Sequence, residues 1–366
     1  MNRKQIDLGL TALWTFFFLV VIDVGVNLAF RYPSDPKQKP NSLQQYFEYG
    51  RSTEGKLLRM TGLTDETSAP IVSAGWLEPR RFPEEPETRK SGDRLLVATY
   101  GMSFSGLLAG AIARTHPDVT VRSISAPSAT ANWTYGAYLL DRGRHQADAA
   151  VFTVMSSNIA MNTTLSGMTA VFDTPYPYTQ PQYAIEKGKL KEIRPLVGAL
   201  AEYRKALLEN PTEWVLFRQQ LAKLDPYYTP VLFRASLLDQ SALIRLLRRS
   251  YAATKRQQLT QQVYGPDGFD PDSKQITILR EMIRNFAETA RGDGVIPIVY
   301  IVNNIGSKDH LYQALKPLLD QNSIPYVSSH TFASPDDPRL FLDNGHFLQS
   351  IDEEIAAEVI RVIDEE

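Results

Sequence analysis

From Leu8 to Ile22 the chain carries no charge, and most of its residues are Leu, Phe or Val. Such a run has to leave water, either for a protein core or for lipid. The apolar character resumes past Asp23 through Val24–Phe30. Leu8–Phe30 is therefore long enough for a hydrocarbon core that takes about 20 residues. Asp23 and Asn27 oppose this, since a carboxylate at the bilayer centre costs roughly 2.5–3.5 kcal/mol. Near the outer end of the span, however, Asp23 can reach the interface. Arg3 and Lys4 precede the run and favour a cytoplasmic segment over residues 1–7, although Arg31, Lys37 and Lys39 soften the asymmetry. No A-x-A-like cleavage site follows, which favours an uncleaved signal-anchor over a removed signal peptide. The expectation is a single-pass cell-membrane protein with its main domain outside the cytoplasm.

Residues 31–92 are rich in Pro, Ser and charge with little periodicity, and read as a tether and irregular approach. Residues 93–366 carry the domain. Arg94–Tyr100, Val119–Ser125, Ala149–Met155, Gly294–Val302 and Pro325–Ser328 are short apolar runs of strand type. His310–Gln321 and Ile351–Ile363 have helical spacing. Buried strands alternating with helices predict an α/β domain, a parallel sheet covered on both faces. Over about 184–263 the apolar residues fall at helical spacing with many Arg and Lys between, broken at Pro211, Pro226 and Pro230. This segment reads as a helical insertion that packs as a cap; a lid or a partner-binding surface is the other reading.

A formal net charge of -2 gives no electrostatic footprint for nucleic acid. The sequence holds 0 cysteines, which removes disulfides, thiolate nucleophiles and Cys-based metal sites. His116, His145, His310 and His330 lack metal-ligand spacing and read as surface or turn residues, so no metal and no cofactor are expected. Asp267, Asp270 and Asp272 read as a turn rather than a calcium loop. Asn132-Trp133-Thr134 and Asn162-Thr163-Thr164 match the glycosylation sequon, a pattern common by chance.

A serine becomes a nucleophile only when a base takes its proton and donors receive the charge on the attacked carbonyl. Ser103 lies where a strand passes into a helix, between Gly101 and Gly106, at the sheet edge where α/β folds build sites. A helix-capping role for Ser103 or Ser105 is the plainer reading. Asp343 and His346 lie three residues apart before the last helix. That spacing lets a carboxylate hold the imidazole by Nδ1 while Nε2 faces a serine. An Asx-type turn at Asp343 is the plainer reading there.

Together these segments resemble the SGNH/GDSL hydrolase superfamily. Gly101-Met102-Ser103-Phe104-Ser105 is similar to its first block, and Ser125-Ala126-Pro127-Ser128 to its second. Ser156-Ser157-Asn158 is similar to the third, and Asp343 with His346 to the last. The resemblance covers roughly residues 94–161 and 294–363. Met102 departs from the family's aspartate, Ser128 from its glycine, and Ser156 and Ile159 from the Gly and Asp that flank Asn158. The resemblance implies a flavodoxin-like three-layer α/β/α fold with the triad Ser103, Asp343 and His346. It also implies oxyanion donors from the Ser128 amide and the Asn158 side chain. Trp133 and Tyr135, with Tyr138, could wall a sugar site; core packing is the alternative for these rings. The expected function is an esterase or O-acyltransferase, acetyl-type, acting on a cell-envelope glycan or lipid ester. The alternative is an inactive scaffold that binds envelope polysaccharide or an export or synthesis complex, with the helical insertion as its partner surface.

Overall fold

The computed structural model describes residues 3–35, 38, 40–60, 75–78, 82, 84–173 and 176–366. In chain order come helices α1 (Arg3–Ala29), α2 (Ser42–Glu48) and α3 (Thr53–Met60). Next are β1 (Leu95–Gly101), α4 (Ser103–Thr115), β2 (Val119–Ser125), α5 (Ala131–Asp141) and β3 (Ala149–Met155). After a hairpin over Gln182–Glu186 and Lys189–Ile193 follow α6 (Leu200–Leu208), α7 (Pro211–Leu224) and α8 (Ala242–Gln261). The chain closes with α9 (Lys274–Gly292), β4 (Ile296–Val302), α10 (His310–Gln321), β5 (Tyr326–Ser328) and α11 (Gln349–Glu365).

The chain divides into two compact units. The larger holds Ala74–Gly167, Tyr178–Pro226 and Gln257–Glu366. Its centre is one parallel sheet of 5 strands in the order β2-β1-β3-β4-β5. A chain that starts in the middle and winds outward both ways leaves a switch point between β1 and β3, where doubly wound sheets open a crevice. Helices α4 and α11 pack on each other, α4 against β1 and β2 and α11 against β5. Helices α5, α9 and α10 pack along β1, β3 and β4 as a second group, giving three layers. That is why β1, β3 and β4 are apolar without alternation and buried along almost their whole length.

One ion pair inside this unit was not foreseen. Arg122 and Asp141 are fully buried, their guanidinium and carboxylate in contact at 2.5 Å. The Tyr100 hydroxyl adds to the carboxylate at 2.9 Å and stands 2.8 Å from His145 Nε2. The His145 side chain, 2% exposed, is therefore a buried network member rather than the surface or turn histidine expected. The two sequon asparagines, Asn132 and Asn162, are also fully buried.

The smaller unit holds Met1–Ser73, Met168–Pro177 and Tyr227–Arg256. Within α1, Asp7–Ala29 is long and apolar enough to cross a membrane and is 0% buried by the rest of the chain. Its two awkward polar residues have partners. Asp23 Oδ1 accepts from the Leu243 amide at 2.8 Å and the Ser241 hydroxyl at 3.0 Å, capping the start of α8. Asn27 accepts from Arg245 one turn further along α8.

Two expectations about organisation change. The supposed irregular tether contains α2 and α3, and α2 opens on a capping box in which Asn41 and Gln44 bond each other's amides at 2.9 Å. The supposed helical insertion begins as a β-hairpin. Lys187 and Gly188 at its tip both have positive φ, 52° and 73°, the backbone that a two-residue hairpin turn requires. The remainder splits, with α6 and α7 in the larger unit and Tyr227–Arg256 in the smaller.

Candidate active site

Strand β1 ends at Gly101, where a Cβ would lie 2.7 Å from that of Thr153 on β3. Only glycine lets the chain turn this close to its neighbour. Met102 is extended and fully buried, so the residue that departs from the SGNH pattern serves the core here. Ser103 is the first residue of α4. Its amide is one of the donors a helix start leaves without an intrahelical acceptor, and it finds none among the described residues. Ser105 is buried.

His346 stands on a tight hairpin. The Leu342 amide donates to His346 O at 2.7 Å, and the Gly345 amide to Leu342 O at 2.8 Å. Gly345, at φ 82°, supplies the left-handed residue this turn needs. Phe341 and Phe347 flank it as a buried ring pair 5.2 Å apart. Phe104, next to the serine, packs on the His346 ring at 4.9 Å and on Phe347 at 5.0 Å. This apolar seat delivers Nε2 of His346 to 2.7 Å from Ser103 Oγ. Burial lowers the His346 pKa, so the imidazole is neutral at neutral pH and able to accept a proton.

Asp343 does not join them. It occupies the exposed tip of the hairpin and makes no hydrogen bond or ion pair with His346. The reason is local: in a turn closed between Leu342 and Gly345, Asp343 is a central residue, and the Asx-type bond expected of it is made by Asn344, whose Oδ1 accepts from the His346 amide at 3.1 Å. His346 Nδ1 bonds to no side chain among the described residues.

The two expected oxyanion donors fare differently. Ala126–Ala129 closes a β-turn with Pro127 in second place and Ser128 third, at φ 54°. Third place in a turn of this kind requires positive φ and favours glycine. Ser128 thus adopts a backbone that favours glycine, and its amide has no acceptor among the described residues. Tyr178 holds the turn from outside through a 2.9 Å bond to Pro127 O. Asn158, buried, donates Nδ2 to Ala129 O at 2.8 Å and Ser128 O at 3.4 Å. Its amide group ties down the Ser128 turn.

No family model, curated protein or solved structure matches this chain.

Trp133 and Tyr135 are not a sugar wall. Both are buried, Trp133 donating Nε1 to Gly75 O at 2.7 Å and Tyr135 packed on Tyr183 at 5.1 Å. Asn304, just past β4, gave no signal of its role in the sequence. Its Oδ1 accepts from Ser156 Oγ at 2.9 Å and the Ser157 amide at 3.1 Å, pinning the loop that carries Asn158. Phe104, also absent from the sequence expectations, left a visible signal as an aromatic beside a serine. At the end of β5, Ser328 Oγ lies 2.7 Å from His330 Nδ1 and accepts from Asn303 Nδ2 at 3.1 Å. That histidine too is bonded rather than free on the surface.

Proposed function

We propose that this chain is a membrane-anchored serine acyl-transfer enzyme, an esterase or O-acyltransferase. The observation that carries the reading is the 2.7 Å approach of His346 Nε2 to Ser103 Oγ at the carboxyl edge of a parallel sheet. Ser103 Oγ attacks an acyl carbonyl while His346 takes its proton on Nε2. The Ser103 and Ser128 amides receive the oxyanion, and Asn158 acts by fixing the Ser128 turn. The tetrahedral adduct collapses, the leaving alkoxide takes the proton from His346, and Ser103 keeps the acyl group. Water then gives hydrolysis, and a sugar hydroxyl gives transfer. A cell-envelope glycan or lipid ester is the substrate class that suits an anchored domain, and the Arg3 and Lys4 asymmetry supports a domain outside the cytoplasm.

Asp343 has no direct share in this mechanism. The pair works as a dyad whose imidazole is oriented by the Phe104–Phe347 seat.

The test is labelling of the full chain in mild detergent with a fluorophosphonate probe. Wild type labels, and Ser103→Ala and His346→Ala both abolish it. Absence of labelling in a folded wild type would overturn the enzyme reading. It would leave a non-catalytic envelope scaffold, the reading favoured by an Asn158 amide already engaged by backbone carbonyls.

A further inference from the structure

The smaller unit contains a cleft of about 680 Å³ beside the outer end of α1. Its charged lining is four arginines, Arg31, Arg51, Arg59 and Arg245, against two carboxylates, Asp23 and Glu48. Asp23 already caps α8. Glu48 is shared by Arg51 at 2.9 Å, Arg59 at 3.2 Å and Arg245 at 3.3 Å, so one carboxylate faces three guanidinium groups. Arg31 makes no ion pair among the described residues. The cleft thus has excess positive charge, with Arg59 exposed and Arg51 and Arg245 buried beneath it.

Its rim is apolar. Leu237 is 91% exposed, Leu28 73% and Leu238 52%, and all three line the same opening. Bare leucines beside a cationic floor, at the point where an apolar helix ends, suit neither water nor hydrocarbon alone. They suit the boundary, where acyl chains meet phosphates.

We infer that this cleft binds the headgroup phosphate of an anionic phospholipid, with Arg31 and Arg59 on the phosphate and Leu237 and Leu238 among the acyl chains. The inference rests on α1 crossing a membrane and is independent of the chemistry proposed for Ser103.

The experiment is thermal unfolding of the delipidated full chain in mild detergent, titrated with phosphatidylglycerol, phosphatidylcholine or water-soluble glycerol phosphate. Phosphatidylglycerol is expected to raise the midpoint saturably, and phosphatidylcholine and glycerol phosphate to leave it unchanged. Arg31→Gln, which breaks no ion pair among the described residues, should raise the half-saturating lipid concentration at least threefold. Arg31→Gln with Arg59→Gln should raise it tenfold or more. An equal response to phosphatidylcholine, or an unchanged titration in Arg31→Gln, overturns the site. A matching shift from glycerol phosphate reassigns the cleft to a soluble phosphate and overturns the lipid. The titration is repeated on Ser103→Ala, so its outcome stands whichever way the serine chemistry falls.

Discussion

The imidazole of His346 holds Nε2 at 2.7 Å from the Ser103 hydroxyl with no carboxylate on its other nitrogen among the described residues. A buried aspartate that orients a triad histidine is worth about 10⁴ in rate. Asp343→Asn should instead change the fluorophosphonate labelling rate by no more than about threefold, read from the labelling time course. A loss of a thousandfold would place Asp343 on the imidazole during reaction.

The same arrangement sets a pH profile. A base works when neutral, and burial lowers the His346 pKa from its usual value near 6.5. Labelling should therefore reach half its maximum below that pH and stay flat through neutrality. Phe104→Ala removes the ring that covers the imidazole, so the midpoint should move back up toward the ordinary value. A midpoint well above 6.5 in wild type would signal a carboxylate partner.

Ser128 gives a stability test. A side chain at left-handed φ costs roughly 1–2 kcal/mol, which glycine avoids and a β-branched residue aggravates. Ser128→Gly should hold or raise unfolding stability by up to about 1 kcal/mol, and Ser128→Val should lower it by about 1–2 kcal/mol, measured by denaturant unfolding.

Asp352, buried on α11, has its carboxyl pushed up to about 7, chiefly by burial, with Glu353 adding and Arg114 opposing. Its folded pKa exceeds its unfolded value, so the stability from the protonated form is full below about pH 4 and lost as pH rises through 7. Asp352→Asn should leave unfolding at pH 4 nearly unchanged and stabilise the protein at pH 8 by about 2 kcal/mol or more.

Asp141→Asn should cost roughly 3–5 kcal/mol, because it strands Arg122 as a buried charge. Loss of less than about 1 kcal/mol in denaturant unfolding would contradict the pairing.

The strands were legible because burial on both faces writes itself as unbroken apolar runs; β2 and β3 begin and end where the runs do. Ser103 stood out because it lies where an apolar run passes into a helix, between Gly101 and Gly106, and the close approach of Gly101 to Thr153 is the physical reason for that first glycine. What stayed hidden was longer-range or turn-specific. Lys187-Gly188 is a hairpin turn, yet the strands around it, Gln182–Glu186 and Lys189–Ile193, put only Tyr183, Ile185 and Leu190 on one face among many charges, too little to announce them. Asp343 could be read as a triad member or as a turn residue, and spacing alone does not separate the two. Arg122 and Asp141 gave no local sign, since a buried pair 19 residues apart is defined only by packing.

Asp23 and Asn27 looked like flaws in an apolar helix and are its joints to α8. A helix jointed in this way is not an interchangeable part. Replacing α1 with an unrelated membrane helix, or cutting the chain after residue 31, leaves the first turn of α8 without its carboxylate cap and Arg245 without Asn27. The apolar helix is a structural member of the smaller unit, joined to it by side chains rather than merely by the chain.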